Sequence, residues 1–371
     1  MRILAVDVGT GTQDVLLFDT EREPENGLKM VMPSPTRLLA RQIQAATKAG
    51  EDVLLTGVTM GGGPCSWAAE AHLEAGRRLF ATPDAARTFN DDLEEVAAMG
   101  VHVVGEDAAR GLAGVHRLEM RDFDYPALAR AFHAFGVDLD EADVLAVAVF
   151  DHGAAPPGVS DRLFRFEYLA ERIDTGRELA AFAFPGDGIP ASMTRLQAVA
   201  DTAPEGRPLV VMDTAPAAVL GALEDPTVRA HGGDAVLANV GNMHTLAFHL
   251  CARRVAGLFE HHTGLLDREK LEGLLLALAA GSLDHETLFA EHGHGALVRE
   301  ATGRGCELSG DEGLAFLAIT GPRRGLLAGS ALRPYLAVPH GDMMMAGCWG
   351  LVRACAAVLP RTAEAIEGAL G

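Results

Sequence analysis

A chain of 371 residues is long enough for two domains or one large bilobed one. Acidic side chains outnumber basic ones 51 to 31, a formal charge of −20 that disfavours nucleic acid as a partner, because a surface that displaces phosphate counterions must be positive. At 49% hydrophobic and 22% charged the composition is that of a globular protein, and the longest apolar stretch, residues 271–283, is broken by Glu272 and Gly273, so no membrane partner is expected.

Residues 3–8 form an apolar run that reads as a buried strand. It meets the small-residue turn Gly9-Thr10-Gly11-Thr12, and a second apolar run, residues 15–18, completes a β-hairpin. Glycines in such a turn let backbone N–H groups approach an anion. Asp7 and Asp14 flank the turn, where a divalent cation riding on a polyphosphate finds oxygen ligands. A third strand over residues 29–32 and a helix over residues 35–49 follow. The strand predicted over residues 52–58 ends in Gly61, Gly62 and Gly63, then a helix with Trp67, Ala71 and Leu79 on one side. Residues 144–150 contain no polar side chain and predict a buried strand that exits at Asp151-His152-Gly153. Residues 208–212 predict another, ending at Asp213 and entering an alanine-rich helix over residues 215–223.

Residues 201–206 are the best candidate connection, dividing the chain into lobes 1–205 and 206–371. A second hairpin spans residues 235–250, with Gly241-Asn242 at its turn and Asn239 where Asp7 stood. A strand over 254–259, a helix over 268–280 and a strand over 315–319 ending in Thr320-Gly321-Pro322-Arg323-Arg324-Gly325 complete the pattern. Each half thus reads hairpin, strand, helix, strand, glycine turn, helix, an internal duplication. Strands alternating with helices argue a mixed, largely parallel sheet in each lobe. Glycine turns at the carboxyl ends of strands are where open α/β sheets bind ligands.

Fourteen histidines form a second theme. Their spacings fit no tetrahedral zinc signature. His261, His262 and His294, each beside glycine, carboxylate or another histidine, are expected to converge on the cleft and contact substrate, with a metal there as an extension. Asp151, the first ionisable group beyond an apolar strand, is expected to face the cleft as general base or to pair with Arg162 or Arg165, and His152 to contact the acceptor. The five cysteines are scattered and odd in number, which suits a reducing cytoplasm. The chain enters a strand at once with no export leader, and a cytoplasmic location is expected.

The first hairpin resembles the phosphate-binding motif of the actin, sugar kinase and heat-shock-70 ATPase superfamily. Asn239-Val-Gly-Asn-Met-His-Thr245 resembles its second phosphate motif, Phe316-Leu-Ala-Ile-Thr-Gly-Pro322 its adenosine motif, and residues 342–358 its closing helix. The resemblance implies a duplicated ribonuclease-H-like α/β fold, two lobes around a nucleotide cleft, with ATP and Mg²⁺ as cofactors. Carried onto this sequence, Asp7 and Asp14 would hold the metal, and Gly9, Thr10, Gly11, Thr12, Gln13, Gly241, Asn242 and Thr245 the phosphates. Gly321, Pro322 and Gly325 would hold the adenosine. Gly61, Gly62, Gly63, Arg162, His261, His262 and His294 are left to the substrate, and Asp151, His152 and Asp7 to catalysis. Phosphoryl transfer to a small molecule is the leading expectation. An ATP-hydrolysing activator of a partner protein, a carbamoyl-transfer enzyme with a histidine-bound metal, and a non-catalytic sensor are the alternatives. Asparagine at position 239 weakens the metal–water geometry that hydrolysing members use.

The whole chain also resembles a prokaryotic family labelled as pyruvate formate-lyase activating enzymes. The residues that carry this are 7–14, Met60-Gly-Gly-Gly-Pro64, Asp151-His-Gly153, Glu260-His-His-Thr-Gly264 and His292-Gly-His-Gly295. A radical activase needs three closely spaced cysteines for its cluster. Here Cys348 and Cys355 are the nearest pair, with no third beside them, so that chemistry is not expected. Cys306 and Cys348 leave a redox alternative, a cluster shared between subunits.

Overall fold

The computed structural model describes residues 1–299 and 316–371, so Cys306 and the first residue of the strand expected over 315–319 lie outside the described residues. The chain opens with strands β1 (Arg2–Val8), β2 (Thr12–Asp19) and β3 (Leu28–Pro33). Four short strands follow, β4 (Asp52–Gly57), β5 (Leu79–Ala81), β6 (His102–Val103) and β7 (Val115–Met120). Next come β8 (Val144–Val149), β9 (Ala183–Pro185) and β10 (Leu209–Asp213). The last group is β11 (Asp234–Val240), β12 (His244–Cys251), β13 (Arg254–His262), β14 (Gly295–Val298), β15 (Leu317–Thr320) and β16 (Tyr335–Leu336).

These strands make an α/β molecule of three sheets, ordered β3-β2-β1-β8-β10-β9, β14-β13-β12-β11-β15-β16 and β6-β5-β4-β7. The first two repeat one design. In each, a hairpin (β1–β2 or β11–β12) is antiparallel, the third strand pairs antiparallel on its outer side, and two further strands add in parallel on the other. β1 and β8 occupy the middle of the first sheet and are buried on both faces, so their sequences are continuous apolar runs rather than alternating ones. In β11 the period-two rule is visible. Val236, Ala238 and Val240 pack outward with Leu271 and Leu275, while Ala235 and Leu237 join the main core.

Two helices lie together against that core, Thr214–Ala222 and Ala346–Val358. They approach so closely that a Cβ on Gly221 would fall 1.7 Å from the Ala346 carbonyl oxygen, and one on Gly350 would fall 1.8 Å from that of Ala217. Only glycine permits this contact.

The repeat runs in a different register from the one the sequence suggests. The strand ending at Gly61, Gly62 and Gly63 is β4, which belongs to a separate sheet inserted after β3. The counterpart of β15 is instead β8, parallel to β1 as β15 is to β11. β10 pairs with β8, so residues 201–206 lead into a strand of the first sheet and the passage to the second sheet comes just before β11. Leu79 lies in β5 rather than on the helix Pro64–Glu74, and Trp67 of that helix is exposed. The closing helix begins at Ala346, preceded by tight turns over Pro339–Gly341 and Met343–Met345. Among the described residues, no helix is long and apolar enough to cross a membrane.

Candidate functional site

The two hairpin turns face each other across one cleft, a cavity of about 220 Å³. They share a backbone bond as well as a position. Gly9 N–H donates to the Thr12 carbonyl at 2.9 Å, and Gly241 N–H donates to that of His244 at 3.0 Å. A Cβ on Gly11 would lie 2.7 Å from the Asn242 side-chain nitrogen, so the turns abut. Thr10 and Thr12 join them on the cleft wall, and Gly321, Pro322, Met343 and Met344 also line it. Gly61, Gly62 and Gly63 of the inserted sheet close a third side, where the Gly61 N–H donates to both carboxylate oxygens of Asp122.

Asp7 and Asp14 are direct cross-strand partners at the cleft floor, both buried. Burial pushes Asp7 up to about 7, against the bond it accepts from the Thr214 hydroxyl. Burial and then the neighbouring Asp7 push Asp14 up to about 8. The Oδ1 atom of Asp14 has no hydrogen-bond partner. Gly347 is what lets the closing helix pass, since a Cβ there would stand 1.9 Å from the Asp7 carboxylate. Two like charges held together in this way await either protons or a cation.

Asp151 does not line the cleft. Its carboxylate accepts from the backbone N–H groups of Gly153 at 2.8 Å, Arg195 at 2.9 Å and Leu196 at 2.8 Å, which ties the loop after β8 to the first turn of the helix Thr194–Thr202. Burial raises it to about 6 despite those bonds. It pairs with neither Arg162 nor Arg165 through its side chain. Arg162 donates to the Gly293 carbonyl at 2.7 Å, while Arg165 takes the Asp151 carbonyl oxygen at 2.7 Å. The arginine that does reach the cleft is Arg195, held by Asp122 at 3.0 Å.

The histidines gather differently from the expected trio. His262 pairs with His244 across β12 and β13, while His261 pairs with Thr245 on the opposite face. His261 therefore points away from the cleft, its Nδ1 against the His262 carbonyl, and the Thr245 hydroxyl bonds that of Thr263. The rings that meet are those of His152, His244 and His294, each offering one nitrogen within 4.8 Å of the others. His262 lies beside them, its ring centre 4.6 Å from that of His294 and 5.1 Å from that of His244. Phe150 stacks on His244 at 4.0 Å. His152 keeps accessible surface in the cleft although protein surrounds it, and His294 is fully buried. Burial, and the nearby arginines and imidazoles, hold all three far below the usual histidine range, His294 at about 2, so the rings are neutral. Two other expected residues stand apart: Gln13 donates its amide to the Pro33 carbonyl, and Gly325 is not on the cleft wall.

Among the described residues no group of cysteines could hold a metal. Cys65, Cys348 and Cys355 are buried free thiols, raised by burial, and Cys348 donates to the Asp14 carbonyl. Cys251 is disulfide-bonded, unlike the reduced cysteines that a reducing compartment implies.

A family model described as "Putative pyruvate format-lyase activating enzyme (DUF1786)" matches residues 60–326. The chain belongs to this family. The matched region holds all three converging imidazoles, Gly61 to Gly63 and the second hairpin, and starts after β1, β2 and β3. No curated protein matches the chain.

Sequence reasoning missed His244, Arg195 and Thr214, and the bonds by which Arg165 joins Asp213 and Glu260. For His244 a signal existed: in a strand beginning near residue 244, alternation puts His244 and Thr245 on opposite faces, and only one can face the cleft.

Proposed function

We propose that this protein binds ATP with Mg²⁺ in the cleft and transfers a phosphoryl group to a small molecule, on the duplicated ribonuclease-H-like, actin-type plan. The observation that carries this reading is the pair of matched glycine turns abutting over the Asp7–Asp14 pair. Gly9, Thr10, Gly11 and Thr12 on one side, with Gly241 and Asn242 on the other, would clasp the phosphates through backbone N–H groups. A magnesium ion takes one or two carboxylates and completes its shell with water and phosphate oxygens, a demand that Asp7 and Asp14 meet. The purine would lie between Gly321-Pro322 and Met343-Met344, and the acceptor would enter between Arg195, Gly61, Gly62 and His152. Phosphoryl transfer asks mainly for positioning and charge neutralisation, which the cleft supplies without a dedicated base.

Calorimetry with ATP and Mg²⁺ tests the binding half. Asp7→Ala and Gly11→Val should each abolish affinity without unfolding the chain. The first removes a carboxylate whose burial is itself unfavourable, and the second drives a side chain into Asn242 of the facing turn and forces the two turns apart. Unchanged affinity in both variants refutes the reading. ADP release that appears only with one member of a metabolite library would identify the acceptor.

A further inference from the structure

A second binding site, of different chemistry, adjoins the same cleft. We infer that His152, His244 and His294 form a binding site for a divalent transition-metal ion whose open coordination position faces the cleft. The three rings come from separate places: His152 from the loop after β8, His244 from the start of β12 and His294 from the residue before β14. Three loops and strands that deliver one nitrogen each to a common point, all within 4.8 Å, are already close to a shell. A tetrahedral ion with metal–nitrogen bonds of about 2.0–2.1 Å needs nitrogens roughly 3.4 Å apart, so small ring rotations close it.

Second, the polar atoms are unsatisfied in the way a ligand would satisfy them. Neither ring nitrogen of His294 has a hydrogen-bond partner, although both are buried. A buried polar group without a partner costs about 1–3 kcal/mol. Glu260 lies 3.8 Å from the Nδ1 atom of His244, and two bonds from Arg165, at 2.8 and 3.0 Å, hold that carboxylate in place. Ligating histidines characteristically turn the other ring nitrogen towards a carboxylate in this way. The Phe150 ring, 4.0 Å from His244, restricts that imidazole's orientation.

The chemistry selects the ion. Three imidazoles with no carboxylate in the shell suit zinc, cobalt, iron or nickel, whereas magnesium and calcium want oxygen. Three protein ligands with one position free is the pattern of an exchangeable site. His152 and His244 both line the cleft, so the free position takes water or an anionic oxygen of whatever enters there. The site is independent of the nucleotide reading, and its test needs no nucleotide.

Protein prepared without an affinity tag and stripped with chelator is titrated with Co²⁺, read by visible ligand-field absorption, with Zn²⁺ as competitor. The wild type should bind one equivalent that Zn²⁺ displaces and Mg²⁺ does not. His152→Asn, at an accessible position, and His294→Asn should both lose it, while His116→Asn in the inserted sheet should keep it. Unliganded melting curves establish that the variants are folded. Occupancy below about 0.1 equivalent in wild type, or an unchanged signal in folded His152→Asn, overturns the assignment, because ligation requires near-stoichiometric occupancy.

Discussion

Arg165 offers the sharpest test of how the two large sheets are joined. Its guanidinium is fully buried and donates to Asp213 at the end of β10, with Nη1 to Oδ2 at 2.6 Å and Nη2 to Oδ1 at 3.3 Å. It also donates to Glu260 of β13, to the Asp151 carbonyl, and stands 3.8 Å over the Phe150 ring. One side chain therefore ties the first sheet to the second directly behind the histidines. Arg165→Met keeps most of the packing volume but leaves two buried carboxylates facing each other. Removing one partner of a buried ion pair costs about 3–5 kcal/mol, and no discount for solvent screening applies to groups this enclosed. At roughly 2 °C per kcal/mol, the rate for larger domains, the thermal transition should fall by about 6–10 °C. The deficit should shrink as pH is lowered. With the cation gone, the folded-state carboxylates sit above their unfolded values, the folded state binds more protons, and acid stabilises it relative to wild type. Adding Asp213→Asn and Glu260→Gln to Arg165→Met should recover much of the loss, since the penalty comes from stranded charge rather than from the absent arginine. Calorimetric melts of the three proteins at two pH values decide it. A drop under about 2 °C, or a loss that does not depend on pH, would refute the reasoning.

Two further predictions rest on the acids. Asp7 and Asp14 are raised to about 7 and 8 from ordinary carboxylate values, so the unliganded fold binds more protons than the unfolded chain up to about pH 8 and its stability should fall as pH rises towards that value. Thermal melts from pH 6.5 to 8.5 should show a steeper decline in wild type than in Asp14→Asn, and Mg²⁺ with nucleotide should remove the difference; parallel slopes would count against it. Asp151→Ala should cost about 2 kcal/mol, the upper range for a lost cap on helix N–H groups, whereas Asp151→Asn should cost less and leave nucleotide affinity unchanged. An Asp151→Asn protein that melts like wild type yet loses turnover would restore the carboxylate to the chemistry.

What the sequence made legible, and what it hid, follows from the range over which each feature is encoded. β1, β8 and the two hairpins could be read because their cues are local. A central strand buried on both faces is an unbroken apolar run, and a tight turn needs small residues at fixed positions. The inserted sheet could not be recognised as an insertion, because β4 ending at Gly57 is locally as good a fourth strand as β8 ending at Val149. What separates them is that Ile3 pairs with Val144 and not with any residue of β4, a pairing 141 residues apart with no trace in a short window.

The histidines divide along the same line. Choosing His244 and His262 over Thr245 and His261 needs only the period of a strand and the register of one hairpin, both in principle readable. His152 and His294 stand on loops, where no period constrains a side chain, and only the packed fold brings their rings to a centre separation of 6.4 Å. Arg165 was legible only as a candidate partner of Asp151, and its side-chain partners Asp213 and Glu260 were hidden. One of three arginines in the helix Asp161–Gly176, it reads as solvated, and the acids that pay for its burial lie 48 and 95 residues away. Its loss should therefore disturb the site from behind: with Glu260 freed, His244 loses the carboxylate beside its Nδ1 atom, so Arg165→Met should weaken Co²⁺ binding without altering any of the three ligands. An affinity for Co²⁺ equal to that of wild type in the folded variant would separate the sheet clamp from the histidine cluster and leave each standing alone.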